Sequence, residues 1–359
     1  SSVSFGEPGY EERETLENGT RTAALSGFTS VVLNNNTKPV LDNSSSIRFI
    51  KDQTKNSAVR VLPIGALTVG SKSVDLAELF DMRSAGAVAF GDYKIETSNA
   101  NLMKIALQYA SNFGGLVMSF PSDASINGKG VVNEHVNSTK LGLKGMPNLA
   151  EELHISRDLF LLEYTGGKLH IPTISTAKSV DLIRKAKKNK LQVTCSVAVH
   201  NLVLTDDQLE DFNTNYKVNP PLRTQTDCDA LIEGLKDGTI DLVTSDHNPI
   251  DIEHKNIEFD HAMYGTIGLE SAFGVLNSIL STKKTVSVLT KGKDLFGIEE
   301  TQITVGAKAD LSLFNPNGSG EFKLEHIKSK SKNSCFLGYE TKGEVYGIIS
   351  NNQLVIKNE

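Results

Sequence analysis

Short runs of apolar, often β-branched residues alternate along the first 285 residues with longer segments whose apolar residues recur every three or four positions. The short runs are typical of buried strands, and longer segments such as LAELFDMRSA and CDALIEGLKDG are typical of amphipathic helices. The runs cover residues 27–34, 58–67, 85–93, 114–120, 168–176, 191–199 and 240–247. Strands that alternate with helices predict an α/β fold with a parallel sheet.

An eighth short strand is predicted at Ser2-Val3-Ser4, just before a Glu7-Pro8-Gly9 turn. Eight parallel strands favour closure into a (β/α)₈ barrel. The alternative is an open, doubly wound sheet, which lacks support because no Gly-x-Gly-x-x-Gly follows the first strand. Beyond residue 285, the segments 301–315 and 340–358 alternate apolar and polar residues, which predicts antiparallel strands. We therefore predict a barrel over residues 1–285, and the last barrel helix with a small β domain over 286–359.

Composition and charge exclude several classes of function. The chain has 37 basic and 43 acidic residues and a net charge of −6, without a long basic run, so we expect no nucleic-acid partner. Cys195, Cys228 and Cys335 are too far apart for a disulfide framework or a zinc ribbon, which indicates a reducing compartment. No apolar run reaches the roughly 18 residues of a membrane span, so a cytoplasmic location is expected. The chain does not begin with Met, so we also expect residues upstream of it.

Chemistry in such a barrel lies at the carboxyl ends of the strands. The predicted strand ends carry few carboxylates and many neutral side chains. In chain order they are Ser2 and Ser4, Asn36, Asp92 with Tyr93, Phe120, Thr173, His200 with Asn201, and Asp246 with His247.

Several sequence blocks, in the same order and with similar spacing, resemble the type I dihydroorotases, which are cyclic amidohydrolases. These blocks are EPGYEERET, GFTSVV, LGLKGMPNLAEELHISRD, TGGKLHIPTISTA, KVNPPLR, ALIEGLKDGTIDLVTSDHNP and VGAKADLSLFNP. The resemblance covers nearly the whole chain. It implies an amidohydrolase-type TIM barrel, the interconversion of carbamoyl-aspartate and dihydroorotate in de novo pyrimidine synthesis, and zinc as the cofactor. In the family, residues before the first strand complete the small β domain, and we expect that half to lie outside this numbering.

The resemblance also assigns roles to individual positions. The four zinc-binding histidines of the family fall on Ser2, Ser4, Phe120 and Thr173. The bridging acid belongs to an Asp-Asp pair that reads Asp92-Tyr93 here, and the alignment leaves open which of the two holds the ligand position. The substrate arginine falls on Gly6 and a substrate-facing histidine on Ile250. The family residues that persist are the catalytic aspartate, Asp246, and two substrate-binding asparagines, Asn36 and Asn219.

These differences predict a barrel without a metal cofactor. Zinc in a hydrolase needs three or more nitrogen, sulfur or carboxylate ligands, whereas serine and threonine hydroxyls bind it weakly and phenylalanine has no donor atom. Without the cation, nothing acidifies the attacking water or polarises the amide carbonyl. Asp246 is then vestigial, and the chain is expected to be an inactive dihydroorotase homologue.

Two functional hypotheses follow. In the first, the inactive chain is a structural or regulatory partner of aspartate carbamoyltransferase, because some members of the family without zinc ligands associate with that enzyme. A homo-oligomer is left open. In the second, the chain is an active dihydroorotase or related cyclic amidohydrolase with a non-standard metal site, for which His200 and His247 beside Asp246 are the candidate ligands.

Overall fold

Eight parallel strands form the central sheet of the computed structural model, which describes residues 1–357. Their order is β1-β2-β3-β4-β5-β8-β9-β10, where β6 (Val132–Asn133) and β7 (Gly145–Met146) form a separate small pair. The eight strands are β1 Ser2–Val3, β2 Ser30–Leu33, β3 Arg60–Gly65, β4 Ala89–Phe90, β5 Leu116–Met118, β8 Lys168–Ile171, β9 Val193–Ala198 and β10 Leu242–Thr244. Each lies within a predicted run.

The sheet closes on itself. Val3 forms a parallel bridge with His247, and the Ser4 amide donates to the His247 carbonyl at 2.7 Å. This contact joins the first strand to the chain that leaves the last one, and the predicted (β/α)₈ barrel is confirmed.

Helices surround the barrel and several begin at a side-chain cap. The Thr15, Asn43 and Thr176 side chains accept hydrogen bonds from the first amides of α1, α2 and α8, as Ser, Thr, Asn and Asp do at helix starts. The helices are α1 Leu16–Leu25, α2 Ser44–Thr54, α3 Leu79–Ala85, α4 Ala100–Ser111, α5 Ala124–Asn127, α6 Val136–Leu141, α7 Asn148–Thr165, α8 Ala177–Lys188, α9 Val199–Val203, α10 Gln225–Asp237, α11 Ile252–Lys255, α12 Leu269–Ile279, α13 Thr282–Thr290 and α14 Gly292–Leu295. Across residues 1–357, no helix has the length and apolarity needed to cross a bilayer.

The interior of the barrel is apolar on one side and polar on the other. Side chains of β2–β5, such as Val32, Ile64 and Met118, form one cluster together with Phe296 and Ile298, which follow α14. On the opposite strands, His170 bonds to Thr194 Oγ1 at 2.9 Å and to Ser196 Oγ at 3.2 Å. This polar half leads towards the strand ends where the predicted site lies.

A small antiparallel sheet follows the barrel, as predicted. It consists of β11 (Leu311–Glu321), β12 (Glu340–Ser350) and β13 (Gln353–Ile356), and it packs through β12 on α12 and α1. The prediction of a strand over 301–306 is wrong, because Ile303 and Val305 are 87% and 108% exposed and the segment has no partner strand among the described residues. The predicted boundary at 285/286 lies within α13, and the last two residues of the predicted β domain, 358 and 359, lie outside the described part.

Candidate functional site

A cavity of about 470 Å³ runs from the carboxyl ends of the strands through the barrel interior to α13, α14 and β11. It brings together most of the residues that the sequence places at the site. Those that line it are Ser2, Asp92, Tyr93, Phe120, Thr173 and Asp246. Ser4, Asn36 and Asn219 are not among the lining residues of the described chain. The substrate-binding roles of the two asparagines stay predictions.

Asp246 is bound by a lysine that the sequence analysis missed. Lys94 Nζ lies 2.6 Å from Asp246 Oδ2, and the two side chains are only 11% and 4% exposed. Burial raises the pKa of Asp246, and the Lys94 ammonium opposes that rise. The one feature of the sequence that points to Lys94 is its position, directly after Asp92-Tyr93 at the end of β4.

Both members of this pair have left-handed backbone conformations, with φ values of +53° at Lys94 and +47° at Asp246. Non-glycine residues adopt this region rarely. Such conformations tend to persist only where the surroundings hold them, and they cluster at functional sites. The backbone is therefore shaped locally so that the two charged side chains meet in the cavity.

The two serines of the first strand are held by an asparagine. Ser2 Oγ donates to Asn34 Oδ1 at 2.8 Å, and Asn34 Nδ2 donates to Ser4 Oγ at 3.2 Å. Asn34 follows β2 and is buried. A single amide thus uses both its acceptor and its donor on these hydroxyls, which ties β1 to β2 at the mouth of the barrel.

Asp92 and Tyr93 take different places. The Asp92 carboxylate accepts hydrogen bonds from the Leu67 and Thr68 amides and from Thr68 Oγ1, at 3.0, 3.2 and 2.6 Å. It therefore holds the loop after β3. The Tyr93 ring lies near the pair, with Lys94 Nζ 5.4 Å from the ring centroid. Burial, and then the charge of Asp246, raise the pKa of Tyr93 well above its usual value.

Phe120 and Thr173 are both buried at the ends of their strands. Phe120 presents only carbon to the cavity. The Thr173 amide donates to Ser196 Oγ at 3.3 Å, with Thr173 at a φ of +51°. Neither position supplies a nitrogen or a carboxylate.

The two histidines near Asp246 differ in their contacts. His247 Nδ1 accepts from the Gly268 and Leu269 amides at 3.2 and 3.4 Å, so it caps the start of α12. Burial lowers the pKa of His247 to about 4, although Glu270 opposes this. His200 is fully buried, and neither of its ring nitrogens has a hydrogen-bond partner within residues 1–357. Burial, followed by the charge of Lys94, lowers the pKa of His200 to about 3. Both imidazoles are neutral at neutral pH.

The side chains at the mouth do not fit zinc. The first-strand positions offer hydroxyls already bonded to Asn34, and the Asp246 carboxylate is in contact with the Lys94 ammonium group. Throughout the described range 1–357, no group of three or more His, Cys, Asp or Glu residues is arranged to hold a metal ion. We therefore derive no chemical step through a metal.

Known proteins resemble this chain over nearly its whole length. The family model described as Dihydro-orotase-like matches residues 1–179. The dihydroorotase of Ruminiclostridium cellulolyticum is 43% identical over 360 residues, which is 98% of this chain and 84% of that protein. The dihydroorotase of Pelotomaculum thermopropionicum is 43% identical over 363 residues, with 99% and 85% of the two chains covered.

Solved structures show the same fold at lower identity. The L-hydantoinase (dihydropyrimidinase) of Arthrobacter aurescens superposes with a TM-score of 0.84 at 22% identity, over 99% of this chain and 86% of that one. The dihydropyrimidinase of Brevibacillus agri superposes with a TM-score of 0.83 at 21% identity, over 99% and 83%. These likenesses show that the chain shares the barrel fold of those structures. The two dihydroorotases at 43% identity match nearly the whole of this chain, and these matches show that the chain belongs to the dihydroorotase family.

Proposed function

We propose that this chain is a dihydroorotase homologue of pyrimidine biosynthesis that does not itself interconvert carbamoyl-aspartate and dihydroorotate. The contact between Lys94 and Asp246 is the observation that carries the proposal. Family membership supports the pathway, and the side chains at the mouth support the loss of catalysis.

The chemistry of amide hydrolysis explains why this contact matters. A general base must reach the proton of the attacking water, and the water needs a Lewis acid or another activating group beside it. Asp246 Oδ2 instead contacts an ammonium, which is itself a proton donor. Ser2 and Ser4 cannot activate the water in place of a Lewis acid, because their hydroxyls are neutral and are already bonded to Asn34.

Turnover and metal content of the purified chain test this proposal together. We expect no ring opening of dihydroorotate with or without added zinc, and no stoichiometric metal by elemental analysis. The dihydroorotase of Ruminiclostridium cellulolyticum, assayed in parallel, is the positive control. Turnover that disappears in Asp246→Ala would overturn the proposal.

We further propose aspartate carbamoyltransferase as the partner of this chain, on the strength of the family resemblance alone. The two purified proteins should then elute together in size-exclusion chromatography, and the transcarbamoylase should lose thermal stability when this chain is omitted. Two proteins that elute separately at their own sizes would contradict the assignment.

One observation favours an active alternative with a non-standard metal site. His200 has two buried ring nitrogens without partners in the described residues, and it lies close enough to Lys94 for that charge to lower its pKa. Such an imidazole can act as a ligand if Lys94 moves away. Stoichiometric metal that is lost in His200→Ala, together with turnover, would select this alternative.

A further inference from the structure

Protein side chains do not fill the whole interior of this barrel. Barrels of this kind normally carry layers of bulky side chains inside, so that their interior is a packed core. In this chain, the cavity of about 470 Å³ runs through the interior, from the mouth to the end at α13, α14 and β11, which we call the lower end. Small residues line it on, or directly after, five different strands, and they are Ser2, Ser30, Gly91, Ser196 and Thr244.

The wall of the interior part of the cavity is apolar along β2–β5. Val32, Ile64 and Met118 line it there, and Phe296 and Ile298 continue the same apolar cluster towards the lower end. The transfer of hydrocarbon from water into such surroundings is favourable. The interior therefore suits the hydrocarbon part of a ligand.

The mouth end of the same cavity carries an ion pair. Lys94 Nζ contacts Asp246 Oδ2 at 2.6 Å, and both residues line the cavity. An ammonium group has three donors, of which this contact uses one, and the carboxylate has a second oxygen. A neutral hydroxyl can accept from the ammonium and donate to the carboxylate, so it leaves the pair intact. A charged group on the ligand would instead lie beside a group of the same charge.

Apolar side chains are exposed at the lower end of the cavity. Val286 of α13 and Ile303, both of which line the cavity, are 36% and 87% exposed. Exposed apolar surface beside a groove is typical of a site that takes up an apolar ligand. The lower end is therefore the expected entrance for such a ligand.

We propose that this barrel binds a linear primary alcohol of medium chain length, which is a neutral amphipathic molecule. Its hydroxyl lies between Lys94 and Asp246, and its hydrocarbon chain lies among Val32, Ile64 and Met118. The cavity volume is within the range of about 300–1,000 Å³ that is usual for ligand pockets. Carbamoyl-aspartate is polar and charged, so this ligand is chemically distinct from it, and its binding goes beyond the proposed function.

Isothermal titration calorimetry of the full chain with 1-hexanol, 1-octanol and 1-decanol tests the proposal. We expect one alcohol molecule per chain and an affinity that rises about fourfold for each added CH₂ group. The heat capacity change of binding should be negative, as it is when apolar surface is buried. Octanoate and octylammonium should each bind at least about tenfold more weakly than 1-octanol, because each brings a charge beside a like charge of the ion pair.

Ser30→Leu tests whether the alcohol lies inside the barrel. The Ser30 hydroxyl is buried and has no hydrogen-bond partner within residues 1–357, so the substitution removes no hydrogen bond and adds apolar volume to the cavity. It should weaken the binding of 1-octanol at least about tenfold. Ser45→Leu is the matched control, because Ser45 is exposed on α2 and should leave the affinity unchanged. Ile64→Phe, which narrows the cavity from β3, is a second cavity variant, and circular dichroism verifies that each variant is folded.

Three results would overturn the proposal. The first is the absence of saturable binding with all three alcohols. The second is an affinity for 1-octanol that is the same in the wild-type chain and in both folded cavity variants, since the alcohol would then lie outside the barrel. The third is tighter binding of octanoate than of 1-octanol, since the mouth would then select an anion. None of these measurements requires turnover, so they are independent of the assay for dihydroorotase activity.

Discussion

At the scale of single residues, the buried Lys94 forms an ion pair with Asp246 in the site. Removing one partner of a buried ion pair leaves the other charge uncompensated, whereas replacing both can be nearly neutral. Lys94 and Asp246 are almost fully buried, so they should follow this rule. The stability of the folded chain therefore depends on the contact between Lys94 and Asp246, and catalysis by Asp246 would have to break this contact.

We predict that Lys94→Met destabilises the chain by about 3–5 kcal/mol, and that adding Asp246→Leu recovers most of this loss. Urea unfolding followed by circular dichroism measures both. Lys140→Met is the matched control, because Lys140 meets Glu210 at 3.4 Å with both side chains about two-thirds exposed, and such pairs contribute about 0–1 kcal/mol. Equal effects of the two lysine substitutions would contradict the prediction.

Buried histidines make stability depend on pH. Burial, and then the charge of Lys187, lower the pKa of His170 to about 3. In the unfolded chain an imidazole titrates near about 6.5. Between these values the unfolded state binds the proton and the folded state does not, so stability is complete above pH 6.5 and falls as the pH drops. Each such histidine contributes a slope of about 1.4 kcal/mol per pH unit.

His170→Gln should reduce the slope of unfolding free energy against pH by about 1.4 kcal/mol per unit between pH 6 and 4. Urea titrations at several pH values measure this slope. His200→Gln should produce a similar reduction, because burial lowers the pKa of His200 to the same value, about 3. An unchanged slope in both variants would show that the two rings bind protons equally in the folded and unfolded states.

At the scale of elements, α12 connects the barrel mouth to the small β sheet. Its first amides bond to His247, and its middle packs on β12. At Gly274 the helix lies close to β12, because a Cβ built there would lie 2.7 Å from Thr341 Cβ. The packing of the sheet on α12 thus requires glycine at position 274. Hydrophobic periodicity alone cannot predict this requirement.

Gly274→Ala should destabilise the chain by about 1–3 kcal/mol, since the added methyl group overpacks the contact with Thr341. Gly292→Ala in α14 is the control, because its nearest neighbours would lie 3.8 Å or more from the new Cβ. Limited proteolysis should cleave the segment 311–356 faster in Gly274→Ala than in the control. Identical cleavage rates in the two variants would show that the packing of the sheet on α12 does not depend on Gly274.

At the scale of the whole molecule, the eight barrel strands could be predicted from apolar runs, because a buried parallel strand must be apolar over its length whatever the site does. The site could be predicted only in part. Asp246, Tyr93 and Thr173 were found because they follow strands. Lys94 and Asn34 also follow strands, but they were missed because the sequence analysis chose their neighbours Tyr93 and Asn36 as site residues. The substrate-binding roles of Asn36 and Asn219 came from the resemblance and stay predictions, since neither residue is among those that line the cavity in the described chain.

If the barrel is a scaffold that has lost its ligands, four substitutions should restore a zinc site only when the internal cation is also removed. The variant carries Ser2→His, Ser4→His, Phe120→His and Thr173→His together with Lys94→Gly, since the φ of +53° at position 94 suits glycine. It should retain zinc through dialysis, as measured by elemental analysis, with one or more ions per chain.

The matched control keeps Lys94 and carries only the four histidines. An ammonium 2.6 Å from Asp246 repels a divalent cation, so this control should bind zinc at least about tenfold more weakly in a competition titration against a chelator. Equal zinc affinities would mean that the Lys94 side chain moves away from Asp246 at no cost in free energy and does not weaken metal binding. Tighter binding after Lys94→Gly would identify the lysine as a second barrier to metal binding, in addition to the missing histidines.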